Sequence, residues 1–395
     1  GHLVTDSPAP DSDRELPRAT ERHAVSALVI ASFALNLNAN VLGALLPFLN
    51  FELGLAGSDG KILIAASAFG MAIGALSIGA VSEAIGRRKT LVAGLLVFVI
   101  ASLGHLIPGG FWLFAILRAI TGVAAGLAYS AASASAAHVS PYSRRGATMG
   151  LFSAGMFLAI PIGMPLTVFL ASAGSWSLIF GFQAVIGAFA AISAWRTVPA
   201  DKPGGEPRAR WSEVLSNGQV RAGLLATLLH VGSFFTVVQL ATVWLDSTGR
   251  VPKEDQIYLW VGLGLLSVFG SAGLGRLSDR TGKRAFVLGC SIVLVACFGL
   301  MARQPGPGLM LGVAIVLALA AAARTGPLQA LVSGLVPDSQ LSTLMGLRSA
   351  SMQLGAMFFA LIAAPVAAEL SFEGVLWLAA ICQAFSYGAI RFGVR

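Results

Sequence analysis

The sequence predicts an all-α integral membrane protein whose twelve transmembrane helices form two pseudo-symmetric six-helix bundles. Three observations carry this. First, 56% of the 395 residues are apolar and 11% are charged. An average soluble chain carries roughly 25% charge, so a soluble surface could not be covered, and disorder is excluded by the same hydrophobicity. Second, the apolar residues gather into long runs of roughly 20, the length that crosses a hydrocarbon core as a helix, not into the short alternating segments of a β-barrel. Third, the second half of the chain repeats the first at a constant offset.

The elements follow in order. A polar tail, 1–23, stays polar through Arg22 and so predicts no cleaved leader with an early apolar region. Spans are expected at 24–49, 60–82, 88–107, 111–138, 147–172 and 177–195, the third closed by Pro108-Gly109-Gly110 and the fourth by Pro141. Residues 196–220, "RTVPADKPGGEPRARWSEVLSNGQV", are charged and rich in Pro and Gly, which marks a cytoplasmic linker. Six more spans are expected at 221–245, 256–277, 285–303, 309–335, 342–368 and 372–391, with Pro305 and Pro337 among the breaks. The bundles are therefore 24–195 and 221–395.

Charge sets the orientation. Nineteen of the 26 Lys and Arg fall on the side of the termini and four on the other, while Arg118, Arg324 and Arg348 lie inside spans. This bias predicts both termini in the cytoplasm, with the chain multi-pass in the cell (inner) membrane. The net charge of +8 is then topological, and no nucleic-acid partner is needed to explain it. Cys290, Cys297 and Cys382 all sit in apolar runs with neither a CxxC pair nor a nearby His at metal spacing. They read as small core residues, and no metal or cofactor is expected.

At an offset of 196, "GALSIGAVSEAIGRRK" aligns with "GSAGLGRLSDRTGKRA". Gly79 maps to Gly275, Glu83 to Asp279, Gly86 to Gly282, and Arg87-Arg88 to Lys283-Arg284; the same offset carries Pro141 to Pro337 and Ser153 to Ser349. Two parallel six-helix repeats imply a substrate site near the bilayer midplane, between halves that rock against each other.

On these residues the chain resembles a major facilitator superfamily transporter over nearly its whole length. That family's signature loop between spans two and three runs Gly-x-x-x-Asp-Arg-x-Gly-Arg/Lys-Arg/Lys. Gly275, Asp279, Arg280, Gly282, Lys283 and Arg284 match it fully, while the first copy has Glu83 for Asp and Ala84 for Arg. The resemblance implies a cytoplasmic latch between the halves made by Gly79, Glu83, Gly86, Arg87, Arg88 and their second-half counterparts. Span four, "LRAITGVAAGLAYS", is similar to the family's arginine-containing span, with Arg118, Gly122, Gly126 and Tyr129 in one stripe. Span five, "SAGMFLAIPIGMPL", is similar to the Gly/Pro motif of drug- and metabolite-exporting antiporters, with Gly155, Pro161 and Gly163, although Met164-Pro165 stands where a double glycine is usual. "GSWSLIFGF" also resembles the exporter pattern before span six.

Polar residues inside spans are the candidate site. A charge at a helix centre costs roughly 2.5–3.5 kcal/mol on insertion scales, so each needs a reason. Arg324 is expected to be a substrate-facing cation, Arg118 a substrate or gating residue, and Arg348 a partner of Glu83 across the inner gate. None of the 18 carboxylates lies deep in a span. The embedded acid that the resemblance would supply to an exporter of cationic drugs is thus missing, and an electropositive cavity for an anionic or zwitterionic solute is expected instead. Asn36 and Asn40 are about 40° apart on one helical face, with Asn38 nearly opposite; Gln239 is the matching candidate in span seven. His230, the one histidine well inside a span, is a candidate substrate contact or proton carrier.

The reading is a secondary transporter moving a small organic solute by alternating access, most readily outward, as a monomer coupled to a proton or counter-solute. Organic-anion uptake or exchange is the alternative, and a non-transporting sensor of the same fold is a further one. No HExxH, GxSxG or P-loop pattern appears, so neither an enzyme nor ATP-driven transport is expected.

Overall fold

The computed structural model describes residues 16–52, 59–174, 176–200 and 210–394, and these are almost wholly helical. The first half contains α1 (Arg18–Glu52), α2 (Asp59–Ile85), α3 (Arg87–Gly104), α4 (Phe111–Val139), α5 (Arg145–Ser172) and α6 (Leu178–Thr197). The second contains α7 (Gly218–Thr248), α8 (Lys253–Thr281), α9 (Lys283–Met301), α10 (Pro307–Ser333) and the stretch Asp338–Gly393. That stretch is broken at Ser371, with φ 60° and ψ −171°, so 338–370 forms α11 and 372–393 forms α12. Among the described residues, eleven helices are long and apolar enough to cross a membrane. The twelfth, α3, has 18 residues and opens with Arg87, Arg88 and Lys89, which dilutes an otherwise apolar run. This is the twelve-helix architecture that the apolar runs predict.

Helix α1 begins at Arg18, about two turns before the apolar run at residue 24. The early start has a physical cause: Glu21 accepts a hydrogen bond from Ser140 Oγ at 2.7 Å and pairs with Arg144 at 2.7 Å. The polar turns are thus docked against the junction of α4 and α5. Residues 1–15 of the expected tail and 201–209 of the expected linker lie outside the described residues. The remainder of that linker includes a short helix, Trp211–Ser216, whose Val214 is buried.

Lipid offers no hydrophobic drive between helices, so small residues must let backbones approach. A side-chain carbon at Gly74 would collide with the Val123 carbonyl, and one at Gly126 with the Met71 carbonyl, so α2 and α4 touch backbone to backbone. The same device joins the halves. Gly150 and Gly275 abut between α5 and α8, and Gly346 abuts the Ala75 carbonyl between α11 and α2. Ser271 Oγ also donates to the Gly150 carbonyl at 2.8 Å.

One residue separates α2 from α3, and one separates α8 from α9. Gly86 and Gly282 fill these places with φ of 85° and 88°, a region that side chains disfavour and glycine enters freely. The signature loop is thereby folded into a turn short enough to hold its cations on one face. At that face, which we call the basic face, α1 begins and α12 ends.

Candidate functional site

A cavity of about 180 Å³ lies at mid-depth between the two halves. Six helices line it: Asn36 and Asn40 from α1, Met71 from α2, Gly126 and Tyr129 from α4, Met156, Phe157 and Ile160 from α5, Val231, Phe235 and Gln239 from α7, and Ser349, Met352, Gln353 and Ala356 from α11. Four of the sequence-predicted binding residues, Asn36, Asn40, Tyr129 and Gln239, are therefore brought together. The asparagines donate their side-chain N–H groups to backbone carbonyls one turn back, at 2.8 Å each, which leaves their carbonyl oxygens as acceptors. Gln353 Nε2 contacts Met71 Sδ at 3.0 Å across the halves. The wall is amide, hydroxyl, thioether and aromatic, with no formal charge among its lining residues.

The three embedded arginines are not at this wall. Arg118 Nη1 donates to Asn38 Oδ1 at 2.6 Å, and its Nη2 donates to the Asn38 carbonyl and Ser67 Oγ at 3.2 and 3.0 Å. The side chain thus clamps α1, α2 and α4. Asn38 turns to this arginine while its neighbours Asn36 and Asn40 turn to the cavity, as their opposite helical faces require. Arg324 points to α12, where its Nη2 donates to Ser386 Oγ at 2.7 Å. It is fully buried, so the expected substrate-facing cation is sealed away from the cavity in this conformation. His230 is buried beside it. Its Nε2 lies 3.4 Å from Thr325 Oγ1, and Gln383 Nε2 reaches its Nδ1 at 3.3 Å.

Arg348 corrects a second expectation. It does not pair with Glu83; it faces the Tyr129 hydroxyl, and its Nε and Nη1 have no hydrogen-bond partner. Glu83 lies at the basic face beside Arg210, Trp211 and Ser212. The pairing fails because Arg348 starts ten residues inside α11, about 15 Å at 1.5 Å per residue, whereas Glu83 is at the end of α2.

Two latches close the basic face, and they are related by the repeat. Arg87 donates to both carboxylate oxygens of Asp338, at 3.2 and 3.1 Å, and His138 Nδ1 is 2.9 Å from Asp338 Oδ1. In the second half, Asp279 accepts from the Gly146 and Ala147 backbone N–H groups at 2.9 and 2.8 Å, capping the start of α5. Lys283 pairs with Asp279 at 2.8 Å and lies 4.3 Å from the Tyr142 ring centroid. The second cations of each motif stay within their own halves. Arg88 stacks over Trp195 at 4.6 Å, and Arg284 donates to the Arg391 carbonyl at 2.6 Å.

The other expected conformational residues fall at packing contacts. Gly79 abuts Thr343, Gly155 abuts the Val29 carbonyl of α1, Gly163 abuts Leu37, and Pro161 meets Gly264 of α8 across the halves. Arg280 is exposed. Sequence reasoning gave no role to Asp338, Tyr142 or His138, and it did not assemble Ser349, Met352, Gln353 and Ala356 into the α11 stripe that lines the cavity. The i, i+3, i+4, i+7 spacing of that stripe was the available signal.

Comparison with known proteins adds the following. The family model described as Major Facilitator Superfamily matches residues 28–302 and 253–386. The uncharacterized MFS-type transporter YbcL of Bacillus subtilis is 23% identical over 363 residues, covering 90% of this chain and 91% of the relative. A probable sugar efflux transporter of Helicobacter acinonychis is 22% identical over 269 residues, 68% of each chain. Among solved structures, the human organic anion transporter MFSD10 superposes with a TM-score of 0.78 at 19% identity, covering 94% of this chain and 99% of its own.

Proposed function

The chain belongs to the Major Facilitator Superfamily, and from that premise we propose that it is a secondary transporter that exports a small organic solute by alternating access. The observation that carries this is the pairing of a two-sided cavity with a closed gate. Six helices from both halves line the cavity, and two repeat-related latches hold the halves together at one face. The multi-pass membrane protein is then captured with its basic face shut. By the excess of Lys and Arg, that face and both termini are cytoplasmic, in the inner membrane. Residues 24–195 and 221–395 would rock as two bodies joined by 196–220, within a monomer, and coupled to a proton or a counter-solute.

We assign an anionic or zwitterionic solute. No carboxylate lines the cavity, and the guanidinium of Arg348 stands behind Tyr129. One observation favours a neutral polyhydroxylated solute instead: the lining residues present two Asn, two Gln, a Tyr and a Ser without a charge, and the Helicobacter relative is named as a sugar exporter. Uptake or exchange of an organic anion uses the same site in reverse.

The test is solute flux in proteoliposomes under an imposed pH gradient, with panels of organic anions, neutral sugars and cationic drugs. Gradient-dependent movement of anions supports the assignment. Movement of sugars alone selects the neutral reading, and movement of cationic drugs alone overturns both.

A further inference from the structure

Arg348 is 1% exposed, and its Nε and Nη1 have no hydrogen-bond partner. An unpaired buried charge is among the more destabilising features a protein can carry. One way to offset that cost is a second state of the molecule in which the charge meets water or a ligand. Arg118 and Arg324 also carry unpartnered nitrogens, Nε in the first and Nε and Nη1 in the second, so position and not pairing sets Arg348 apart: three hydrogen bonds clamp Arg118 among its own helices, and Arg324 is turned to Ser386 away from the cavity. Arg348 instead adjoins the cavity, because the next residue, Ser349, and Met352 one turn on both line it.

Its depth matters as much as its neighbours. Helix α11 starts at the basic face, and helical side chains tilt toward their N-terminus. The guanidinium therefore lies on the basic-face side of the cavity, with Tyr129 against it. Between Arg348 and the start of α11, Gly346 and Thr343 pack tightly on Ala75 and Gly79 of α2. The Arg87–Asp338 latch closes this same α2–α11 seam. In this closed state Arg348 stands against Tyr129, and the packed α2–α11 seam lies between it and the basic face.

We propose that Arg348 is the contact for the anionic group of the solute, offered when the basic face opens and withdrawn when it closes. The proposal rests on the export reading and gives it a direction. A ligand shifts a two-state equilibrium only through its different affinity for the two states. An anion would bind tightly from the basic face, lose its counter-charge on closure, and leave on the far side.

The test uses Ser349→Cys as a reporter in the full chain, with Cys290, Cys297 and Cys382 replaced by Ala. Modification rates are measured with an anionic and a cationic methanethiosulfonate (sulfonatoethyl and trimethylammonioethyl) applied to the basic face in vesicles. Asp338→Asn opens the latch. The anion-to-cation rate ratio is expected to be about tenfold higher with Arg348 than with Arg348→Gln, within reach of one nearby unit charge, and only when the latch is open. Arg348→Lys should keep most of the ratio. Arg348→Met, the apolar replacement that a buried site accepts most readily, is the second neutral variant should the Gln protein misfold. A ratio indifferent to charge at 348, or equally high with the latch closed, overturns the proposal. If the ratio behaves as expected and no organic anion is transported, the export reading fails while the exposure of Arg348 stands. Anion flux unchanged in Arg348→Gln retires the proposal and spares that reading.

Discussion

Arg87 reaches across the gap between the halves to grip Asp338 through two hydrogen bonds of 3.2 and 3.1 Å. Moving each residue by the repeat offset of 196 gives Lys283 and Tyr142, and these also meet across the gap, at 4.3 Å. The geometry is repeated while the chemistry is not. One latch is an ion pair and the other sets a cation on an aromatic face.

Asp338→Asn keeps the shape of its latch and removes the charge. The carboxylate is about one-third exposed, so its loss is worth about 1 kcal/mol, the upper end for solvent-accessible pairs. That should multiply the basic-face-open population roughly fivefold. Spin-label distances between the basic-face ends of α2 and α11 would show it as growth of a longer component, and an unchanged distribution would contradict the latch.

Tyr142 contributes to its latch through its ring. Tyr142→Phe should therefore behave like the wild type in the same distance measurement, made between α5 and α8. Tyr142→Leu should lose about 0.5–1 kcal/mol of closure, the range for an exposed cation–π pair. Equal effects of the two substitutions would place the contribution in the hydroxyl.

Gly126→Val drives a branched side chain into the Met71 carbonyl, where no atom can yield cheaply. Overpacking of a tight core costs typically 1–3 kcal/mol and more where backbone must move. The thermal midpoint in detergent should fall by several degrees or the protein should fail to accumulate. Gly273→Ala, with nothing within 4 Å of the added carbon, should leave the midpoint in place.

Asn40→Ala and Gln239→Ala remove one hydrogen-bonding group each from opposite halves of the cavity wall. Each should raise the apparent KM roughly five- to tenfold, the usual worth of one neutral hydrogen bond, without altering thermal stability. Arg118→Ala should do the reverse, lowering stability by about 3 kcal/mol or more because it unclamps three helices and strands Asn38. Affinity lost in Arg118→Ala at full stability would return that residue to the cavity.

The twelve helices were legible because lipid imposes a length on each apolar run, and the repeat was legible because Gly86 and Gly282 must recur wherever a one-residue turn recurs. The amides of α1 were legible too, since the spacing of Asn36 and Asn40 puts them on one face. The arginines were not. A charge inside a span announces a cost, but which neighbour it turns to depends on how the helix is rotated about its axis. Arg324 and Arg348 look alike as letters, yet one is turned to Ser386 and the other stands beside the cavity. Asp338 and Tyr142 escaped notice for a related reason. They occupy one repeat position with unlike side chains, so an alignment of the halves discards the relation that makes them partners.

The unlike chemistry of the two seams has a consequence for how the molecule opens. Dissolved ions weaken an accessible ion pair within a Debye length of about 8 Å at physiological ionic strength, and they act less on the Asp279–Lys283 pair, whose side chains are 12% and 6% exposed, than on Asp338, which is 35% exposed. Raising ionic strength at the basic face would therefore free the α2–α11 side before the α5–α8 side. The halves would part like a door hung on Tyr142 and unlatched at Asp338, and the first gap to form would be the one that leads to Arg348.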